Sequence, residues 1–289
     1  MSYPSVSTFS LVALDPQNGS LGVAVASRFI AVGGVVPWAK AGVGALATQS
    51  YANTTFGPRA FAMLEEGRGL EAVHQHFQAT DPELALRQYG AVAQDGSSLS
   101  FTGEGCHPWA GGRFGPGYAA QGNLLAGPEV VEAMAETFLA SSLPFPQRLL
   151  AALAAGDEAG GDRRGRQSAA LLVVAEGRGY MGFNDRWLDL RADDHPEPIG
   201  ELRRLLGLHQ IYMEKPSRPP KVLEPDEVRW LQEVLSRRGL RAAPVSGVWD
   251  GPTAAGLKAL YASDNLSGRW LEGPQVDPDA WEYLRRALG

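Results

Sequence analysis

Thr8-Phe9-Ser10-Leu11-Val12-Ala13-Leu14 leads into a polar stretch, Asp15 to Ser20, and then into Leu21-Gly22-Val23-Ala24-Val25-Ala26-Ser27. Two strand-like runs joined through Asn18-Gly19 read as a β-hairpin, since Asn-Gly supplies the backbone conformations that a tight turn between twisted strands needs. This hairpin stands almost at the start of the chain and opens on a hydroxyl residue, Thr8, after seven preceding residues, Met1 to Ser7.

Further along, Val43 to Ser50 reads as a strand rich in small residues. Helices follow from Pro58 to Gly67 and from Leu70 to Phe77, on apolar repeats near i, i+3, i+7. Asp81-Pro82 starts a short turn ending near Gln88, as an N-cap and first helical position would. Tyr89 to Gln94, Asp95-Gly96 and Ser97 to Thr102 form a second hairpin pattern. Helical periodicity returns from Gly127-Pro128 through Phe138 and from Pro146 to Ala155. A polar Gly/Arg loop, Gly160 to Arg166, precedes the strand Ala169 to Val174, and Tyr180 to Phe183 is expected to complete a third hairpin. Hairpins separated by helix pairs predict antiparallel sheets covered by helices, because parallel strands would need longer crossovers. A helix from Pro198 to His209 ends a domain spanning 1–210. Residues 211–221, with Pro216, Pro219 and Pro220, read as a semi-rigid linker. Residues 222–289 form a small, mostly helical domain.

Composition narrows the function classes. The chain of 289 residues has a net charge of −6 and no dense basic run, which argues against nucleic acid as a partner. No apolar stretch approaches the ~20 residues of a membrane span. The start lacks a signal-peptide pattern, so the expected location is cytoplasmic. Cys106 is the single cysteine, which rules out intrachain disulfides and thiolate zinc sites. Neither a metal nor an organic cofactor is expected, with Asp193-Asp194-His195 too readily explained by helix capping to serve as ligands. Glycine is abundant at 35 residues, about 12% against a usual ~7%, which suits tight turns and closely packed strands.

Residues 1–210 resemble a bacterial family of unknown function assigned to the Ntn-hydrolase (N-terminal nucleophile) superfamily. The likeness rests on Thr8-Phe9-Ser10, Gly22 to Phe29, Gly42-Val43-Gly44-Ala45 with Ala47-Thr48-Gln49, and Gly57-Pro58-Arg59. It continues in Gln121-Gly122-Asn123, Gly161 to Ala169 and Asp193 to Pro196. The resemblance implies an α+β fold, a four-layer αββα sandwich followed by the small helical domain. That domain is similar to peptidoglycan-binding-like helical domains in Val228, Leu231-Gln232, Leu235, Gly239, Val245-Ser246-Gly247, Asp250-Gly251 and Thr253. A peptidoglycan fragment, a protein partner or a second copy of the chain are its candidate partners.

With that family position, Thr8 is the candidate nucleophile. Its hydroxyl would attack, and its own freed α-amine, with an ordinary pKa of about 7.7–8.0, would act as base. Lys40, at a spacing like that of the lysine in threonine-type members, and Arg28 are candidates to tune it. The alternatives are a β-branched strand residue for Thr8, a solvated loop charge for Lys40 and a buried ion-pair partner for Arg28. Ser2, terminal after simple Met removal, is a weaker nucleophile because Tyr3-Pro4 is poor strand material. Gln49, Asn53, Gln121 and Asn123 are candidate substrate-positioning amides, or turn residues bonding local backbone. Asp162, Arg163, Arg164, Gln167 and Ser168 form a candidate cradle for a carboxylate, phosphate or ureido group, or a polar loop that fixes the fold. Two functions stay open: an amidohydrolase of a small amide or ureide, and a non-catalytic binding or scaffold protein. Removal of Met1 to Ser7 separates them.

Overall fold

The structure is a computed structural model that describes residues 5–216 and 218–289. The chain divides into two compact units, Met1–Leu205 and Leu206–Gly289.

The first unit is a mixed α/β assembly with two antiparallel sheets. Strands β1 (Thr8–Leu14) and β2 (Leu21–Ser27) form the opening hairpin, with Leu14 opposite Leu21 and Thr8 opposite Ser27. Next come β3 (Pro37–Lys40), β4 (Gly44–Ser50), helices α1 (Phe56–Glu65) and α2 (Leu70–Thr80), β5 (Arg87–Ala93) and β6 (Ser98–Thr102). They are followed by β7 (Gly111–Gly115), β8 (Tyr118–Gly122), α3 (Glu129–Ala140), α4 (Phe145–Glu158), β9 (Ser168–Val174), β10 (Arg186–Ala192) and α5 (Pro198–Met213). One sheet has the order β10-β9-β2-β1-β8-β7 and the other β3-β4-β5-β6. Strands β1 and β8 pack across β4 and β5, α3 and α4 lie against the six-stranded sheet, and α1 and α2 lie against the four-stranded one.

All seven residues of β1 are buried, as a strand covered on both faces requires. Because alternate side chains point to opposite faces, Thr8, Ser10, Val12 and Leu14 share the face turned to the second sheet. Val12 and Leu14 join Val23, Val25, Ala45, Ala47 and Val92 in an apolar core there. Ser10 instead meets Gln49. The space between the sheets thus changes from aliphatic to carboxamide toward the Thr8 end. On the other face α4 comes so close to β2 that a Cβ at Gly22 would sit 3.2 Å from the Phe145 ring and closer still to Leu149. Phe56 stacks on Phe77 at 3.8 Å beneath α1 and α2, with Tyr89 edge-on to both.

Three strand pairs depart from the sequence reading. β3 was not expected; it is a short edge strand whose first residue is Pro37, a position where the missing N–H costs no ladder bond. The β7–β8 hairpin has three glycines in its first strand and so shows no apolar alternation. In the third hairpin, Tyr180 to Phe183 is not strand. Met181 (φ 53°) and Gly182 (φ 78°) carry the chain through a loop, and the returning strand is β10. Helix α5 runs to Met213, four residues beyond His209.

The second unit builds a short ribbon, β11 (Lys221–Val222) with β12 (Gln275–Val276), and helices α6 (Pro225–Arg237), α7 (Gly251–Ser263) and α8 (Pro278–Leu288). Its core joins Val228, Leu231, Leu235, Leu257, Leu260, Tyr261, Trp281 and Leu284. The helices start at explicit caps: a Glu224–Glu227 capping box, Asp250 accepting from the Thr253 N–H, and Asp277 accepting from the Ala280 N–H. No helix among the described residues is long and apolar enough to cross a membrane.

Candidate active site at the Ser7–Thr8 junction

Thr8 is fully buried, and its hydroxyl donates to the Val6 carbonyl oxygen at 2.8 Å. Its own carbonyl oxygen accepts from the Asn123 N–H at 3.0 Å and from Gln49 Nε2 at 3.3 Å. The preceding residues are part of the fold as far back as they are described. Val6 and Ser50 exchange N–H to carbonyl bonds of 2.5 and 3.0 Å, and Val6 packs into the inter-sheet core. Ser2 lies outside the described residues.

The Ser7–Thr8 peptide has a specific environment. The Ser7 carbonyl oxygen accepts from Ser27 Oγ at 2.5 Å and from Arg164 Nη2 at 3.0 Å. Strand pairing puts Ser27 there, opposite Thr8. Arg164 is held by Asp162, whose Oδ1 accepts from Arg164 Nε (3.0 Å) and N (2.9 Å) and whose Oδ2 accepts from Nη2 (2.7 Å). Oδ2 also accepts from the Arg28 N–H at 3.0 Å. The Asp162 side chain is 1% exposed and that of Arg164 34%, so the fork-on-fork pair fixes the guanidinium plane while one edge reaches the junction.

Beneath Thr8 lies a closed network of neutral groups. Ser10 Oγ donates to Gln49 Oε1 (2.6 Å) and accepts from Gln121 Nε2 (2.7 Å). Gln88 Oε1 accepts from Gln49 Nε2 (2.9 Å) and Asn123 Nδ2 (2.9 Å). Gln88 Nε2 donates to the Gly122 carbonyl (2.7 Å) and Thr102 Oγ1 (2.9 Å). Ser10, Gln49, Gln88, Gln121 and Asn123 are all fully buried. Gln121 Oε1 and Asn123 Oδ1 remain without a hydrogen-bond partner among the described residues, which is costly for buried acceptors.

The fold therefore brings Thr8, Gln49, Gln121, Asn123, Asp162 and Arg164 to one end of β1, with the Arg28 backbone. The other candidates lie elsewhere. Lys40 pairs opposite Gly44, at the far end of β4 from Ser50, about 20 Å along the strand from the junction. There it forms a surface ion pair with Glu65 at 2.5 Å. The Arg28 guanidinium turns outward to the Arg166 carbonyl. Asn53 bonds Asp81 at 2.8 Å and accepts from the Thr55 N–H and hydroxyl, a local turn role. Arg163 is exposed. Gln167 bonds Asp194, and Ser168 Oγ donates to the Phe29 carbonyl and accepts from the Val32 N–H, anchoring the loop after β2. Ser27, absent from the sequence-based candidates, carries no motif of its own; the hairpin register alone could have pointed to it. Cys106 is buried, and burial pushes its thiol pKa up. Among the described residues no three His, Cys, Asp or Glu side chains converge as metal ligands.

Residues 8–202 match the model of a "Family of unknown function (DUF1028)", and residues 212–284 match a "Putative peptidoglycan binding domain". A similar solved structure is the crystal structure of protein SPO2555 from Silicibacter pomeroyi, itself assigned to DUF1028. It is 35% identical, covers 71% of this chain and 89% of its own, and superposes with a TM-score of 0.64. No curated protein matches the chain. With its family match opening on Thr8 and covering most of the first unit, the chain belongs to the DUF1028 family and carries a peptidoglycan-binding-like domain behind it.

Proposed function

We propose that the first unit is a four-layer αββα amide hydrolase of the N-terminal nucleophile type, acting on a small amide or ureide, with Thr8 as nucleophile once the Ser7–Thr8 bond is cut. The observation that carries this reading is the pair of donors, Ser27 Oγ and Arg164 Nη2, on the carbonyl oxygen next to the Thr8 nitrogen. With Met1 to Ser7 gone, the same donors face the position of a substrate's scissile carbonyl. Thr8 Oγ1 attacks that carbon and passes its proton to the Thr8 α-amine. The oxyanion is held by Ser27 and Arg164, and the leaving amine takes the proton as the C–N bond breaks. Water then hydrolyses the threonyl ester. Asp162 keeps Arg164 aligned, while Gln49 and Asn123 hold the Thr8 carbonyl.

A second reading has its own support in the pairing of Val6 with Ser50 and the burial of Ser7. With that segment kept, Thr8 has no free amine, and the unit is a binding protein. The intact mass of the purified protein separates the two: loss of residues 1–7 is expected for the hydrolase. Over a panel of small amides and ureides, Thr8→Ala should abolish turnover, and Ser27→Ala should lower kcat by about 10²–10³, the usual effect of removing one oxyanion donor. A retained N-terminus, or hydrolysis unchanged in Thr8→Ala, would remove the mechanism. For the second unit, the family description supports a soluble peptidoglycan fragment as ligand.

A further inference from the structure

A cavity of about 490 Å³ opens beside α8 in the second unit, lined by Lys221, Glu227, Trp281, Glu282, Arg285 and Arg286. Its two carboxylates are already engaged. Glu227 accepts from Lys221 Nζ at 3.2 Å and from the Glu224 N–H at 3.1 Å, and Glu282 pairs with Arg218 at 2.8 Å. The two arginines are not ion-paired among the described residues. The Arg285 guanidinium lies 4.4 Å over the Trp230 ring and 6.0 Å from that of Trp281, and the two indoles meet edge to face at 5.1 Å. Arg286 makes one bond, from Nε to the Glu282 carbonyl at 3.3 Å.

Stacking uses the face of a guanidinium and leaves its N–H edge free to bind a carboxylate with two parallel bonds. Both residues stand in the last turn of α8, where positive charge also favours the helix C-terminus. That local role takes the Arg286 Nε–H alone, leaves the N–H edge of Arg285 and the Nη edge of Arg286 unused, and does not require an indole platform. Consecutive helical residues point about 100° apart, so the two guanidiniums address two separate carboxylates.

We propose that this groove binds the acidic peptide portion of a peptidoglycan fragment, with Arg285 and Arg286 each taking one carboxylate and Trp281 forming the wall between them. The proposal rests on the peptidoglycan reading of the second unit and adds which part of that polymer is recognised. The sugar chain offers mainly hydroxyls and acetamides, while a stem peptide offers side-chain and terminal carboxylates.

The test is calorimetric titration of the full chain with three soluble probes: a disaccharide bearing a peptide stem with free carboxylates, the same compound with its carboxylates amidated, and the disaccharide alone. The free acid should bind, and the amidated probe at least about tenfold more weakly. Arg285→Gln and Arg286→Gln should each weaken the free acid by about tenfold and erase the preference over the amidated probe. Arg237→Gln, on α6 outside the groove, should titrate like the parent chain. Equal binding of acid and amidated probes, or binding unchanged in both groove variants, overturns the groove while leaving the peptidoglycan reading in place. Binding of none of the three probes overturns both.

Discussion

Between the sheets of the first unit the buried polar side chains are neutral, namely Ser10, Gln49, Gln88, Gln121 and Asn123, whereas the second unit buries the guanidiniums of Arg241 and Arg269. Within the second unit, Arg269 donates to the carbonyls of Gln210, Ile211 and Glu214 and to the Asp277 carboxylate, tying the segment 210–214 to the start of α8. Arg241 binds the Ala243 and Pro244 carbonyls, Thr253 Oγ1 and the Asp250 carboxylate, fixing the loop before α7. A buried charge persists only where its donors are matched, so these arginines are fully committed to structure. Neutral amides cost less to bury and can be left partly unmatched, as Gln121 Oε1 and Asn123 Oδ1 are. The difference separates a clamp from a site: among the described residues spare hydrogen-bonding capacity lies beside Thr8 in one unit and, in the other, at the open groove of Arg285 and Arg286.

The largest effect is expected at the clamp. Arg269→Ala leaves the Asp277 carboxylate buried without its cation and should destabilise the second unit by about 3–5 kcal/mol, the usual cost of breaking a buried pair from one side. Denaturant unfolding followed by tryptophan fluorescence measures it, since Trp230, Trp249, Trp270 and Trp281 all pack in that unit. The double change Arg269→Met with Asp277→Asn removes both charges and keeps a side chain able to cap α8, so it should recover part of the loss. A cost below about 1 kcal/mol for Arg269→Ala would erase the contrast between clamp and site.

A middle-sized effect tests the amide layer. Gly90 on β5 faces the Gln121 carboxamide so closely that an added Cβ would overlap its Oε1, Cδ and Nε2 atoms. Gly90→Ala should therefore cost about 1–3 kcal/mol through overpacking. Shortening the neighbour, Gln121→Ser, should relieve most of that, giving a coupling of about 0.5–3 kcal/mol in a double-mutant cycle. Additive costs would mean that the two sheets do not close on this layer.

How much of this was legible in the sequence follows from whether a relation is local or arises by register. The Thr8–Ser27 hairpin could be read because strand, turn and strand are contiguous and Asn18-Gly19 marks the turn. Asp162 and Arg164 could be read as a unit because they are two residues apart. Lys40 was misplaced because distance along the chain says nothing of which end of β4 it meets. Ser27 was missed for the converse reason: an ordinary serine gains its role only by lying opposite Thr8. The glycine-rich strand Gly111–Gly115 left no periodic signal, since its residues are selected by close packing, with Gly112 against Ser100, more than by burial of side chains. Tyr180, Met181 and Phe183 looked like strand because aromatic and apolar residues usually are, but 64%, 74% and 81% of their surfaces are exposed.

The smallest effect concerns the first unit's own buried ion pair, Asp81 with Arg87, the nearest counterpart there to Arg269 with Asp277. Burial alone would raise the Asp81 pKa, but Arg87 Nε at 3.0 Å, Asn53 Nδ2 at 2.8 Å and the Glu83 N–H at 2.9 Å outweigh it and hold the carboxyl below its ordinary value. A folded-state pKa below the unfolded one gives stability that is complete above the unfolded value of about 3.9 and is lost as pH falls through the folded value. At neutral pH Asp81→Asn should then lower the first unit's Tm on the order of 2 °C. The gap between parent and variant should close as pH falls from 5 toward 3, because protonation turns Asp81 into a near-equivalent of the amide. Arg87 keeps its bonds to the Tyr51 carbonyl and to Glu83 in both proteins, which is why the effect stays small. A gap that stayed constant over that range would show that the charge on Asp81 contributes nothing to the stability of the first unit.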